Sequence, residues 1–273
     1  MTTDKQAAEA TPLAAKGKTT RSSDPLFVQS VEKALKVLAA FGAARPSMSI
    51  SQIALAANLD RSAAQRFTYT LESLGYLVKD IESKRYSLTT KALDIGHSYI
   101  RSNTLIDYSL QYLMHLSMKI QEGVNLSILD KTEVVVISRI TSHHMLNNNP
   151  TVGTRLPAYC TAAGIAILSR LPRDEAMEIL KKSDLQKLTP HTVYQLPDLS
   201  EKLDRTLAQG YAVTCQERQA NDISIAAPVL DASGDPVAAV TIAVSRLNYT
   251  AEETVEKFSG LVLATANAIS MNV

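Results

Sequence analysis

The run Asp60-Arg61-Ser62-Ala63-Ala64-Gln65-Arg66-Phe67-Thr68-Tyr69-Thr70-Leu71 carries the most specific chemistry in this 273-residue chain. Wound as a helix, it sets Ala64, Phe67, Leu71 and Leu74 on a face to be buried. Arg61, Ser62, Gln65, Arg66 and Tyr69 then lie on the opposite face. A guanidinium pairs two-pronged with guanine, and a carboxamide does so with adenine, in the major groove of DNA. Ser62 and Tyr69 suit phosphate oxygens, which fix register without reading sequence. An ordinary solvated helix would look the same in isolation, so the neighbouring elements must decide.

The other candidate chemistry is weaker. His143 and His144 are adjacent; on a strand they point to opposite faces, whereas a chelate needs one side. His97, His115 and His191 are isolated. No metal site is expected. Cys160 and Cys215 show no CxxC spacing, so neither a zinc site nor a disulfide framework is indicated. Cys160-Thr161 opens a helix, where a dipole favours a thiolate; simple packing against a sheet is the preferred account. There is no GxSxG elbow, phosphate-binding loop or GxGxxG. No catalytic residue and no cofactor are expected. Two alternatives stay open: an enzyme working through Cys160 or Cys215, and a sensing adaptor that binds protein instead of DNA.

The elements around residues 60–71 favour DNA. Val31, Ala34, Leu35, Leu38 and Phe41 recur at helical spacing, and Gly42 and Pro46 end that helix. Ser49 caps a second helix carrying Ile53, Leu55 and Ala56, which Asn58-Leu59 turns into the third. Gly75 stops the third helix. Residues 76–79 and 85–88 alternate apolar and polar around a turn at 80–84, as in a hairpin. Helix, helix, turn, helix, hairpin is a winged helix-turn-helix, with Lys79, Lys84 and Arg85 on the wing. Residues 26–91 hold nine Lys and Arg against five acids, a surplus of four, while residues 92–273 carry fifteen against nineteen. A basic module beside an acidic one suits a polyanionic partner for the first.

The expected organisation is a disordered tail over 1–25, the winged module over 26–90, a helical connector over 91–104 and a larger domain over 105–273. In that last part a helix over 106–121 precedes strands at 125–129 and 134–137. Helices follow near 161–170, 173–182 and 198–209, then strands at 211–216, 224–230 and 237–244, and a helix over 251–270. Strands around turns with flanking helices describe a mixed α/β domain of the α+β class. Hydrophobic residues are 45% and charged residues 20% of the chain, as in soluble globular proteins. No apolar stretch of roughly 20 residues exists to span a membrane, and the first residues lack a signal core. Cytoplasmic residence is the expectation.

The chain resembles the IclR family of bacterial transcriptional regulators from Phe27 to its C-terminus. The likeness rests on residues 61–67 with Leu71-Glu72-Ser73-Leu74-Gly75-Tyr76, on Val152-Gly153-Thr154-Arg155-Leu156-Pro157, on Leu188-Thr189-Pro190-His191-Thr192, on Gly210-Tyr211-Ala212-Val213, and on Ile225-Ala226-Ala227-Pro228-Val229 with Asp231-Ala232-Ser233-Gly234. The run Arg155-Leu156-Pro157-Ala158-Tyr159-Cys160-Thr161 is similar to the subgroup controlling breakdown of aromatic acids by the β-ketoadipate and related routes. The resemblance implies a GAF-like effector domain that binds a small organic acid, and a homodimer or homotetramer on paired half-sites of double-stranded DNA. Carried over, its pocket falls on Met145, Leu146, Tyr159, Thr161, Ala162, Ala163, Cys215, Ser224, Thr241 and Ala243. The start of the helix at 161–163 would offer backbone N–H groups to a carboxylate. Departures from the family pattern, such as Ala243-Val244-Ser245 where serine-glycine is common, leave fewer polar groups for a small oxoacid and suit a larger, flatter aromatic one. The subgroup likeness leans towards an activator.

Overall fold

In the computed structural model the described residues are 24–141 and 150–273. The expectations for residues 1–23 and for His143, His144, Met145 and Leu146 lie outside them. The chain divides into two compact units, residues 1–95 and 96–273.

The first unit holds α1 (Gln29–Ala39), β1 (Ser47–Met48), α2 (Ile50–Ala57), α3 (Arg61–Ser73), β2 (Leu77–Lys79) and β3 (Tyr86–Leu88). Local hydrogen bonds set its helix boundaries. Ser49 Oγ accepts from the Gln52 N–H at 3.4 Å while Gln52 Oε1 accepts from the Ser49 N–H at 3.0 Å, a capping box that starts α2. Asn58 takes the left-handed conformation (φ 53°) that closes it. Asp60 Oδ1 then accepts from the Ala63 N–H at 2.8 Å and starts α3. Val37, Met48, Ile53, Ala64, Leu71, Leu77 and Tyr86 form the core.

Two expectations for this unit need correction. Leu74 is not on the buried face of α3; it is 54% exposed. The helix ends at Ser73, and Leu74 and Gly75 (φ 81°) turn the chain into β2 before another helical turn can carry Leu74 inwards. Thr68 fills the inner face instead. The sheet also has a third strand, in the order β1-β3-β2. At two residues, β1 is too short for alternation to register in the sequence.

The connector is broken into pieces. A short 3-10 turn at Thr90–Ala92 leads into α4 (Leu93–Ser102), and Asn103 interrupts the helix before α5 (Thr104–Ile120). The Asn103 side chain accepts from the Ile106 N–H at 3.4 Å, so α5 begins two residues before the periodicity suggests.

The second unit continues with β4 (Gly123–Asp130), β5 (Glu133–Ile140), β6 (Arg155–Pro157), α6 (Ala162–Leu168), α7 (Arg173–Lys182), α8 (Leu196–Gln209), β7 (Ala212–Cys215), β8 (Asp222–Leu230), β9 (Pro236–Ser245) and α9 (Ala251–Ser270). One sheet runs in the order β6-β5-β4-β9-β8-β7, with every neighbouring pair antiparallel. Alternation splits its side chains cleanly. Ile223, Ile225, Ala227 and Val229 of β8, with Val240, Ile242 and Val244 of β9, pack under α5 and α9. The other face carries small residues, Ala226 and Ala239 among them, against α6, which α8 covers in turn. Large side chains on one face make a filled core. Small ones on the other leave room.

Candidate functional sites

The first candidate site is the outer face of α3. Arg61, Ser62, Gln65, Arg66 and Tyr69 are all exposed, and they share one side of the helix because Ala64, Thr68 and Leu71 hold the other against the core. Neither Arg61 nor Arg66 enters an ion pair among the described residues, so both guanidinium groups are free for an outside anion. On the wing, Asp80 anchors the turn by accepting from the Ser83 N–H at 2.7 Å. Lys84 sits exposed in a left-handed conformation (φ 56°). Lys79 is exposed too, its Nζ lying 5.5 Å from the centre of the Tyr86 ring. Arg85 differs: it is half-buried, and it donates from Nε to Ser47 Oγ at 2.9 Å and from Nη2 to the Ser47 carbonyl at 2.5 Å. It stitches β1 to the wing, and those two donors are not available to DNA.

The second candidate site is an open cavity of about 860 Å³ on the small-residue face of the large sheet. Its floor is Asn125 and Ser127 of β4, Thr241, Ala243 and Ser245 of β9, Ser224 of β8 and Thr214 of β7. Val134, Val136 and Leu156 supply apolar wall from β5 and β6. Thr161, Ala162 and Ala163 close one side, and residues 188–190 and 218–222 form the lips. The volume suits a small organic molecule. Thr241 Oγ1 is buried there with no hydrogen-bond partner. A buried hydroxyl left unpaired costs about 1–3 kcal/mol, so a group that pairs with it gains accordingly.

Of the ten sequence-predicted pocket residues, Thr161, Ala162, Ala163, Ser224, Thr241 and Ala243 line the cavity. Tyr159 and Cys215 do not. The Tyr159 ring is buried under α6, with its hydroxyl donating to the Gln186 carbonyl at 2.8 Å. Cys215 is on β7 one residue beyond Thr214, and alternation turns it to the opposite face, with Val213 against the α5 and α9 core. Sequence reasoning missed Asn125, Ser127 and Thr214. Their polar side chains inside otherwise apolar strands were the available signal.

The start of α6 is held tightly. Gly164 packs so close to the backbone of Ala158 that a Cβ there would meet the Ala158 carbonyl group. Thr161 Oγ1 accepts from the Gly164 N–H at 3.3 Å. Ala162 and Ala163 keep N–H groups that have no partner within the helix, but at seven residues α6 has only a small dipole.

Behind the lips is a buried ion pair, Lys202 with Glu217. Glu217 also accepts from the Val193 N–H at 3.4 Å, and its carbonyl accepts from Thr192 Oγ1 at 2.6 Å. The segment at 189–193 is thereby tied to the turn after β7. Burial pushes the Cys160 thiol up to about 11, with the Glu217 carboxylate adding to the effect. Burial also raises Cys215. Burial therefore disfavours the reactive thiolate form at both sulfurs. Among the described residues no group of His, Cys, Asp and Glu could hold a metal ion, and no helix is long and apolar enough to cross a membrane.

A helix-turn-helix with an open basic face, joined in one chain to a domain with a ligand-sized cavity, defines an effector-binding transcription regulator. The chain belongs to the IclR family: residues 30–80 match the IclR helix-turn-helix domain and residues 97–271 match the bacterial transcriptional regulator IclR C-terminal domain. It is 32% identical to the Pca regulon regulatory protein of Pseudomonas putida, across 90% of this chain and 84% of that protein. It is 30% identical to the p-hydroxybenzoate hydroxylase transcriptional activator of Acinetobacter baylyi, across 89% and 91%. Among solved structures, the inducer-binding domain of a double mutant of PobR from Acinetobacter, in complex with 3-hydroxybenzoic acid, is 29% identical and superposes with a TM-score of 0.56 over 60% of this chain and 95% of that one. These relatives are named as regulators, and the chain is a regulator of transcription rather than an enzyme.

Proposed function

We propose that the effector is an aromatic acid and that its binding in the sheet-face cavity controls operator binding by α3 and the wing. The observation that carries this is the cavity itself: apolar walls from Val134, Val136, Leu156 and Leu188, with an unpaired buried hydroxyl at Thr241. Flat apolar walls favour a ring, and orphaned polar groups favour its substituents. It is supported by the relative named for a p-hydroxybenzoate hydroxylase and by the solved PobR binding domain that holds 3-hydroxybenzoic acid.

Arg61 and Gln65 read bases, Ser62, Arg66 and Tyr69 hold phosphates, and Lys79 and Lys84 meet flanking backbone. The protein acts as a homodimer or homotetramer on paired half-sites. Activation is the favoured sign, following the p-hydroxybenzoate relative, although relatives of similar identity include repressors. Thermal-shift measurements on the full chain against hydroxybenzoates and aliphatic dicarboxylic acids test the effector class. An aromatic acid should raise the melting temperature, increasingly with the logarithm of its concentration once above its dissociation constant. A rise with aliphatic acids alone overturns the aromatic reading.

A further inference from the structure

Opposed residues on neighbouring strands share a face of the sheet. Arg139 of β5 is opposite Asn125 of β4, and Asn125 is opposite Thr241 of β9. The three form one row on the cavity face. Arg139 Nη1 donates to Asn125 Oδ1 at 3.4 Å and to the Pro150 carbonyl at 2.7 Å. With its oxygen turned to Arg139, Asn125 has its amide N–H groups left to donate, and they have no partner among the described residues. Thr241 Oγ1, next in the row, is the orphaned hydroxyl; the whole residue is only 7% exposed. Arg139 is half-buried and has no carboxylate partner among the described residues. The adjoining segment 142–149 contains neither Asp nor Glu. The one acid among the described residues of the cavity lining, Asp222, is on β8 opposite Ser245, outside this row. A half-buried cation with no counter-ion among the described residues thus stands beside two unused donors on the cavity floor.

We propose that this row seats the carboxylate of the effector: Asn125 Nδ2 and Thr241 Oγ1 donate to its oxygens, and Arg139, held behind Asn125, supplies the compensating charge. Arg139 is then a positioning and selectivity residue that need not touch the ligand. The inference rests on the aromatic-acid reading and goes beyond it by saying which end of the molecule goes where. It also moves the anion site from the short α6 helix to the sheet.

Calorimetric titration of the full-length protein with 3-hydroxybenzoate and with its neutral isostere 3-hydroxybenzamide tests this. The wild type should prefer the acid by at least about tenfold, as charge-assisted hydrogen bonds require. Arg139→Met should abolish that preference while leaving the amide affinity nearly unchanged, and Arg139→Lys should retain most of it. Asn125→Asp, close in shape and able to pair with Arg139, should fold normally and lose the acid by repulsion. Equal losses of acid and amide in Arg139→Met would mean that Arg139 only holds the fold, and would overturn the proposal. So would a wild type that binds both compounds equally. Absence of binding by any aromatic acid to the wild type would instead overturn the aromatic-acid reading, and this seat with it.

Discussion

Arg61 and Gln65 lie one helical turn apart on a surface that nothing among the described residues covers. If they read bases, each contact is worth about 1–3 kcal/mol of discrimination. Arg61→Ala with Gln65→Ala should therefore weaken binding to the specific operator at least about tenfold in gel shifts, while weak non-specific binding through phosphates persists. Wild-type affinity in that double variant would remove the assignment. Arg85 shows the limit of charge as a guide: it counts in the basic surplus, yet its donors are spent on Ser47. The cysteines differ in the same way. Cys160 is 1% exposed and Cys215 considerably more open. A thiol-specific reagent at neutral pH should label Cys215 in the native protein, slowly because its thiol is protonated, and should reach Cys160 only after unfolding. Equal labelling of both would mean that the segment before α6 opens readily.

At the scale of elements, α6 and the sheet beneath it make the cavity. Gly164 lets α6 approach the turn at Ala158, so Gly164→Ala forces a clash with backbone, which cannot swing aside as a side chain can. Overpacking of this kind costs about 1–3 kcal/mol, read as a lower melting temperature, and the shift of Ala162 and Ala163 should weaken effector binding as well. An unchanged melting temperature would show that the Ala158 turn yields freely. Central strands read easily in the sequence because β8 and β9 are long and apolar. Their division of labour did not. Thr241 and Ala243 face the cavity and Val240 and Ile242 face the core, a distinction that depends on which helices cover each face. The edge strands β1 and β6, two and three residues long, carry no periodic signal and exist only because a neighbouring strand offers hydrogen bonds.

For the molecule as a whole, two binding sites in two units are coupled only to the extent that each ligand prefers one of the protein's states. The coupling must be reciprocal. If the effector changes operator affinity by some factor, saturating operator DNA should change effector affinity by the same factor, measured by titrating effector with and without DNA. A mismatch would mean that oligomer assembly intervenes. Steep loss of DNA affinity with added salt is expected from the phosphate contacts, and a flat salt response would favour a protein partner. The order of the longer elements, the cap at Ser49, the exposed face of α3 and the family were legible in the sequence, because each is written in local spacing or in motifs of fixed order. Six of the cavity-lining residues, Thr161, Ala162, Ala163, Ser224, Thr241 and Ala243, came from the family resemblance. The tertiary structure alone decided that Tyr159 and Cys215 point away from the cavity, that Leu74 is outside the core, and that Arg139, Asn125 and Thr241 form one row. Those three residues are far apart in the chain, and strand register, which no local pattern encodes, is what joins them.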